Sequence, residues 1–230
     1  MQAGAFRSPM LADPAGRALA ETARRYQACP RFTRHYVASK LRRDPVHRDV
    51  LAMAAREPFG DVVDLGCGRG QLGVALLVAG LARSVLGMDR AGPALADARL
   101  AAAGLPFTVL HADLADDPRV PACDTVLLVD VLYQLGAGPA LRLLRAAAGA
   151  ARERIIVRTL DPAQGWRSRL ACGLERAGQS WWPHAGRRVE PLPVPVLLGT
   201  LGDAGFAAEV APCWQGTPFA NVLVAATRKS

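Results

Sequence analysis

The chain has 230 residues, 51% of them hydrophobic, with 28 Lys and Arg against 20 Asp and Glu and a formal net charge of +8. That length fills one α/β domain and falls short of two ordinary ones, and no apolar run approaches the ~18 residues of a membrane span. The N-terminal segment lacks the apolar stretch of a secretory signal, so a cytoplasmic protein is expected; the five cysteines, Cys29, Cys67, Cys123, Cys172 and Cys213, are widely spaced, with no C-x-x-C pair, and point neither to a disulfide framework nor to a metal site.

Residues 1–20 carry few large apolar side chains and prolines at 9 and 14, which predicts a loose arm. Pro30 opens a helix through about Arg43, and Asp44 followed by Pro45 reads as an N-cap with proline at the first helical position of a second helix through about Arg56. Residues 24–43 hold seven basic side chains and no acidic one, a surface for an acidic partner or anionic substrate, or simply a solvated face. Basic charge also attracts nucleic acid, but only Lys40 and Lys229 are lysines amid many arginines, as a compositional bias produces, and no RNA-binding module is recognisable.

Val62-Val63-Asp64-Leu65 is an apolar run that turns at Asp64 into Gly66-Cys67-Gly68-Arg69-Gly70, and helix-compatible Gln71–Val78 follows. Glycine at every second position admits φ > 0 and close approach of a ligand to the main chain, at a strand-to-helix junction. The dinucleotide fingerprint G-x-G-x-x-G needs its third glycine at 71, where this chain has Gln71, which disfavours a nicotinamide enzyme. Cys67 in the loop reads as a small packing residue.

Ser84–Met88 is the second strand and ends at Asp89, placed to accept from both hydroxyls of a ribose. Arg90 lies either near an adenine edge or on the surface. Residues 92–103 form a helix, Phe107–His111 the third strand, and Ala112-Asp113-Leu114 follows it. Thr125–Val129 is the fourth strand; its continuous apolar character marks burial on both faces, as in a parallel sheet covered by helices. Ligands bind at the carboxyl ends of such strands, which puts Asp130 and Tyr133 where a cofactor and an acceptor would meet. Asp130 contacts a cofactor, orients a substrate hydroxyl, acts as a base, or caps the following turn. Residues 139–150 form a helix and Ile155–Thr159 the fifth strand, with Arg158 near its end.

From 161 to 191 the pattern changes. Trp166, Leu170 and Leu174 recur every four residues, and Trp181-Trp182-Pro183-His184 follows. These tryptophans are candidates to wall an acceptor pocket. His184, with an unperturbed pKa of about 6.5, is a candidate proton carrier or a structural residue. A helix at Val194–Ala204 and strands at Ala207–Ala211 and Ala220–Ala226 complete the chain, and Trp214 and Phe219 on the last hairpin either flank the acceptor or pack the hairpin.

Asp64-x-Gly66-x-Gly68-x-Gly70, Asp89 and Asp113-Leu114 together resemble the motifs of class I S-adenosylmethionine-dependent methyltransferases. The resemblance implies an α/β Rossmann-like fold: a seven-stranded mixed sheet with an antiparallel seventh strand and helices on both faces. Residues 21–230 would be one domain, with a helical cap over 21–58 and a substrate-side insertion over 161–191. It also implies a site. Asp64 holds the cationic amino acid end of S-adenosylmethionine, Gly66, Cys67, Gly68 and Gly70 leave room for it, and Asp89 takes the ribose. Asp113 accepts from the adenine amino group with Leu114 against the ring, and Tyr36, Lys40, Arg90 and Asp130 are further candidate contacts. Orientation alone can supply ~7–11 kcal/mol of barrier reduction, so Asp130, Tyr133 and His184 are catalytic candidates in a reaction that does not require a base.

Arg31–Val46 and Cys213–Val224 resemble, more narrowly, bacterial methyltransferases of aryl-polyene pigment pathways, although Ser39 stands where that likeness leads one to expect glycine. That likeness implies secondary metabolism, a phenolic or polyene acceptor, and an acyl carrier protein whose acidity matches the basic segment. RNA methylation and a non-catalytic cofactor-fold binding protein are the alternatives.

Overall fold

A computed structural model of the chain describes residues 13–161, 190–215 and 221–229. Three helices precede the sheet: α1 (Pro14–Arg25), α2 (Arg31–Arg43) and α3 (Val46–Arg56). The first corrects the expected arm over 14–20. Asp13 accepts from the Gly16 amide at 3.0 Å, Pro14 takes the first helical position, and Arg24 and Arg25 close the last turn, so each end of α1 is locally satisfied. The Asp44–Pro45 pair departs from its expected role. Pro45 itself caps α3, and Asp44, although it accepts from the Val46 amide at 3.2 Å, turns its carboxylate to Lys40 and Arg158.

The rest alternates strand and helix: β1 (Asp61–Leu65), α4 (Gln71–Val78), β2 (Ser84–Asp89), α5 (Gly92–Ala101), β3 (Phe107–His111), β4 (Cys123–Val129), α6 (Ala137–Ala150) and β5 (Ala151–Leu160). Helix α7 (Val194–Asp203), β6 (Phe206–Pro212) and β7 (Asn221–Arg228) follow. The seven strands form one sheet in the order β3-β2-β1-β4-β5-β7-β6, with β1 to β5 parallel and β7 antiparallel to both its neighbours. This is the mixed sheet expected from the sequence. Strand β5 starts earlier than expected because α6 runs straight into it: Ala151 is already extended and pairs with Cys123.

Both faces of the sheet are covered. Val63, Leu65, Val126 and Leu128 pack with Leu143 and Leu144 of α6 and Leu197 and Leu201 of α7, while Val62, Leu127 and Ile156 share the opposite layer with Leu19, Val50 and Leu76 of α1, α3 and α4. Two-sided burial explains why the strands read as apolar runs without alternation. Strand β1 lies between β2 and β4, so the chain winds outward in both directions from it, and the crevice at its carboxyl end is the place where such sheets hold ligands. No helix of the described residues is long and apolar enough to cross a membrane.

Candidate functional site

A cleft of about 440 Å³ opens over the carboxyl ends of β1, β2 and β4, bounded by the glycine loop, the start of α5 and the cap helices. The loop Gly66–Gly70 is built for close approach. Gly66, Gly68 and Gly70 all have positive φ, at 76°, 55° and 73°. A Cβ on Gly66 would strike Val131 at 2.7 Å, whereas one on Gly68 would meet no protein atom within 4 Å and would project into open space. Packing thus excludes a side chain at Gly66, and the left-handed backbone with its unobstructed approach marks Gly68.

Asp89, at the end of β2, ties this loop down: its two carboxylate oxygens accept from the amides of Gly68 and Ala91, each at 2.8 Å. Asp64 is 4% exposed yet lines the cleft, and burial, then the charge of Asp89, push its carboxyl up to about 7. A carboxyl in that state is primed for a cation. Gln71 opens α4 against the same cleft, and its buried Oε1 has no hydrogen-bond partner among the described residues. The orphan acceptor, the buried carboxyl and the open Gly68 together fit a ligand that brings an ammonium group to the main chain.

A smaller recess of about 90 Å³, lined by Arg90, Asp113, Leu114 and Val131 among others, shares Gly66, Asp89 and Asp130 with the main cleft. Asp113 accepts from the Ala115 amide at 2.9 Å and lies 4.0 Å from the Arg90 guanidinium. Leu114 is buried at its wall. Cys67 packs as expected: burial pushes its thiol well above the usual range, and its sulfur crowds Gly87, where an added Cβ would lie 2.8 Å away.

The cap supplies Tyr36 and Lys40, one turn apart on α2, both lining the cleft. Burial alone would lower the Lys40 pKa, but Tyr36, Asp130 and Asp44 outweigh it and raise the value, so the ammonium stays charged 3.2 Å from Asp44. The cap also grips the loop. Tyr26 donates its hydroxyl to the Arg69 carbonyl at 2.6 Å, and Arg69 Nε reaches Thr33 and Asp97, each at 3.2 Å, with its guanidinium 5.0 Å from the Tyr36 ring centre.

At the far end of the cleft Asp130 adopts φ of 59°, rare for a residue with a side chain, and both its carboxylate oxygens accept from Arg158. Arg158 is 3% exposed and also holds Asp44 through two nitrogens, a buried carboxylate–guanidinium–carboxylate bridge from cap to sheet. Asp130 therefore lines the cleft as expected, though as a held carboxylate. Tyr133 does not take the place expected of it: it is 3% exposed, in the turn Leu132–Gln134, and Gln134 faces the cleft instead. Trp214 is partly buried and is not among the residues lining the described cleft. Trp166, Trp181, Trp182, His184 and Phe219 lie outside the described residues.

Sequence reasoning missed Arg158, Asp44 and His47 as members of this site. The signal that could have found Arg158 is an arginine directly after the apolar run Ile155-Ile156-Val157, since arginine is almost never buried without a partner. Asp44 was masked by its capping pattern, and His47 carried no pattern at all.

Residues 62–153 match the family model described as a methyltransferase domain. No curated relative matches the sequence. Among solved structures, magnesium protoporphyrin IX methyltransferase from Synechocystis PCC 6803 with bound SAH is 22% identical, over 94% of this chain and 96% of that one, with a TM-score of 0.63. The pyocyanin biosynthetic protein PhzM, 22% identical with a TM-score of 0.61, is matched over 89% of this chain and 60% of its own. N-methyltransferase NodS from Bradyrhizobium japonicum WM9, 12% identical with a TM-score of 0.59, is matched over 95% of this chain and all of its own. These structures share the fold. The family match runs from β1 into β5, the part of the sheet that carries the glycine loop.

Proposed function

We propose that this enzyme transfers a methyl group from S-adenosylmethionine to a small-molecule acceptor of phenolic or polyene character, carried on an acidic acyl carrier protein, in secondary metabolism. The methyl donor is S-adenosylmethionine, whose sulfonium supplies an activated methyl group when bound. The observation that carries the reading is the set of carboxylates at successive strand ends around an open glycine loop. Asp64 with Gln71 Oε1 takes the ammonium, Asp89 the ribose hydroxyls, and Asp113 with Leu114 the adenine, each beside the cleft or its recess.

Tyr36 and Lys40 close the cleft from the cap, and Asp130 stands at its acceptor end. Two of the solved relatives are named for small molecules, magnesium protoporphyrin IX and pyocyanin, which supports a small-molecule acceptor here. The outer side of α2 supports the carrier. Arg31, His35, Arg42 and Arg43 are exposed there, and Phe32, 63% exposed, stacks on Tyr36 at the cleft, so an acidic partner would bring its cargo to the entrance.

Calorimetric titration with S-adenosylmethionine, and separately with NADH, tests the reading. Binding of the first alone is expected, and Asp64→Ala and Asp89→Ala should each lose affinity. Binding of neither by a folded sample would overturn it.

A further inference from the structure

We propose that His47 is a catalytic residue for a hydroxyl acceptor: its Nε2 accepts the hydrogen of the acceptor's O–H and takes that proton as the methyl group moves. The inference rests on the methyl-transfer reading above and narrows it to oxygen. His47 lies in the first turn of α3, is 2% exposed, and lines the cleft. Its Nδ1 is 3.4 Å from the backbone oxygen of Asp44. A carbonyl oxygen only accepts, so Nδ1 carries the hydrogen and Nε2 keeps its lone pair. Among the described residues no hydrogen bond to Nε2 is formed.

The surroundings hold the ring in that form. Burial above all, helped by Arg158 from β5 and Lys40 from α2, pushes the imidazole down to about 4 against the opposing pull of Asp44. The ring is therefore neutral throughout the physiological range. Its position also separates it from the donor's nucleoside end. Asp44 ties the start of α3 to Arg158 and so to Asp130, whereas Asp89 and Asp113 follow β2 and β3 on the other side of β1.

When S-adenosylmethionine is bound, its methyl C–S bond breaks with the electron pair staying on sulfur. The acceptor oxygen forms the new C–O bond, its proton passes to Nε2, and the positive charge ends on the imidazole ring, which returns the proton to water. An oxygen that has gained a methyl group while keeping its proton is a far stronger acid than imidazolium. Even a weakly basic ring takes that proton, and the Asp44 carboxylate favours the charge it acquires.

The test uses His47→Phe, which keeps a flat ring without a lone pair, and His47→Gln, which keeps an acceptor oxygen. Both should bind S-adenosylmethionine within about threefold of the parent, as expected for a side chain that faces the acceptor. In the parent protein with S-adenosylhomocysteine, the Nε2 resonance, assigned by its loss in either variant, should move as phenol is added and stay still with anisole, which has no hydroxyl. Methyl transfer to phenol should fall by about 10²-fold or more in His47→Phe and recover in part in His47→Gln. An Nε2 signal that phenol leaves unmoved overturns the proposal, as does an equal rate in His47→Phe. A loss of donor affinity beyond about tenfold in both folded variants also overturns it, since the ring would then hold the donor. Failure of the parent protein to bind S-adenosylmethionine would instead overturn the methyl-transfer reading.

Discussion

Arg158 donates from Nε to one carboxylate oxygen of Asp130 at 2.8 Å and from Nη2 to the other at 2.5 Å, a forked pair that fixes the end of β4 against the end of β5. The same guanidinium holds Asp44, which ends α2 just before α3. Removing it would strand two carboxylates, one of them buried. Arg158→Met should therefore cost about 3–5 kcal/mol in urea unfolding, and Arg158→Lys, which keeps the charge and loses the fork, should cost less. The pH dependence has a definite sign. Burial would raise the Asp44 pKa, but Arg158 outweighs it and holds the carboxyl well below the usual range. Its contribution is complete above the ordinary value of 3.8 and is lost as pH falls through the depressed one, so the parent and Arg158→Met should converge in stability only in strong acid.

Asp64 has the opposite sign. Burial and Asp89 raise its carboxyl to about 7, so between 3.8 and that value the folded state binds more protons than the unfolded chain, and stability falls as pH rises through this window. An ammonium placed beside Asp64 favours the ionised form and expels the proton. S-Adenosylmethionine should bind with release of close to one proton near pH 6 and fewer near pH 8, read from calorimetry in buffers of different ionisation enthalpy. Asp64→Asn should abolish the release and weaken binding.

How far the sequence revealed this site depends on whether a side chain's partner is local. Asp64, Asp89 and Asp113 stand where strand and loop patterns put them, because apolar run, turn and glycine spacing are all short-range signals. The Arg158–Asp44 contact joins residues 114 positions apart, and nothing in either neighbourhood names the other. The Asp-Pro pairs at 13–14 and 44–45 make the same point. At 13–14 the pair caps α1, where two prolines suggested a loose arm, and at 44–45 the familiar capping pattern concealed a carboxylate recruited by a distant arginine. Tyr133 failed as a cleft residue because the 3₁₀ turn after Asp130 rotates it into the interior and brings Gln134 to the surface of the cleft.

The glycine loop separates two kinds of damage. Gly66→Ala and Gly68→Ala both force a side chain into a left-handed backbone, costing about 1–2 kcal/mol. Only at Gly66 does the new Cβ also collide with Val131, at 2.7 Å. Thermal unfolding should show the larger loss for Gly66→Ala. At Gly68 the Cβ points into open space at the cleft, so Gly68→Ala should keep most of its stability and lose donor affinity.

Tyr26 tests whether the cap governs the loop. It lies outside residues 62–153, in the 3₁₀ turn after α1, and is fully buried with its hydroxyl on the Arg69 carbonyl. Tyr26→Phe keeps the ring packing and leaves that carbonyl without its donor, a loss of about 1–3 kcal/mol if water cannot reach it. Arg69 precedes Gly70, the residue that opens α4, so a loosened carbonyl there frees the turn that Gly68 shares. Urea unfolding should register the stability loss, and calorimetry a weaker affinity for S-adenosylmethionine beside it. Lower stability with unchanged affinity would mean that Asp89, through the Gly68 amide, holds the loop without help from the cap.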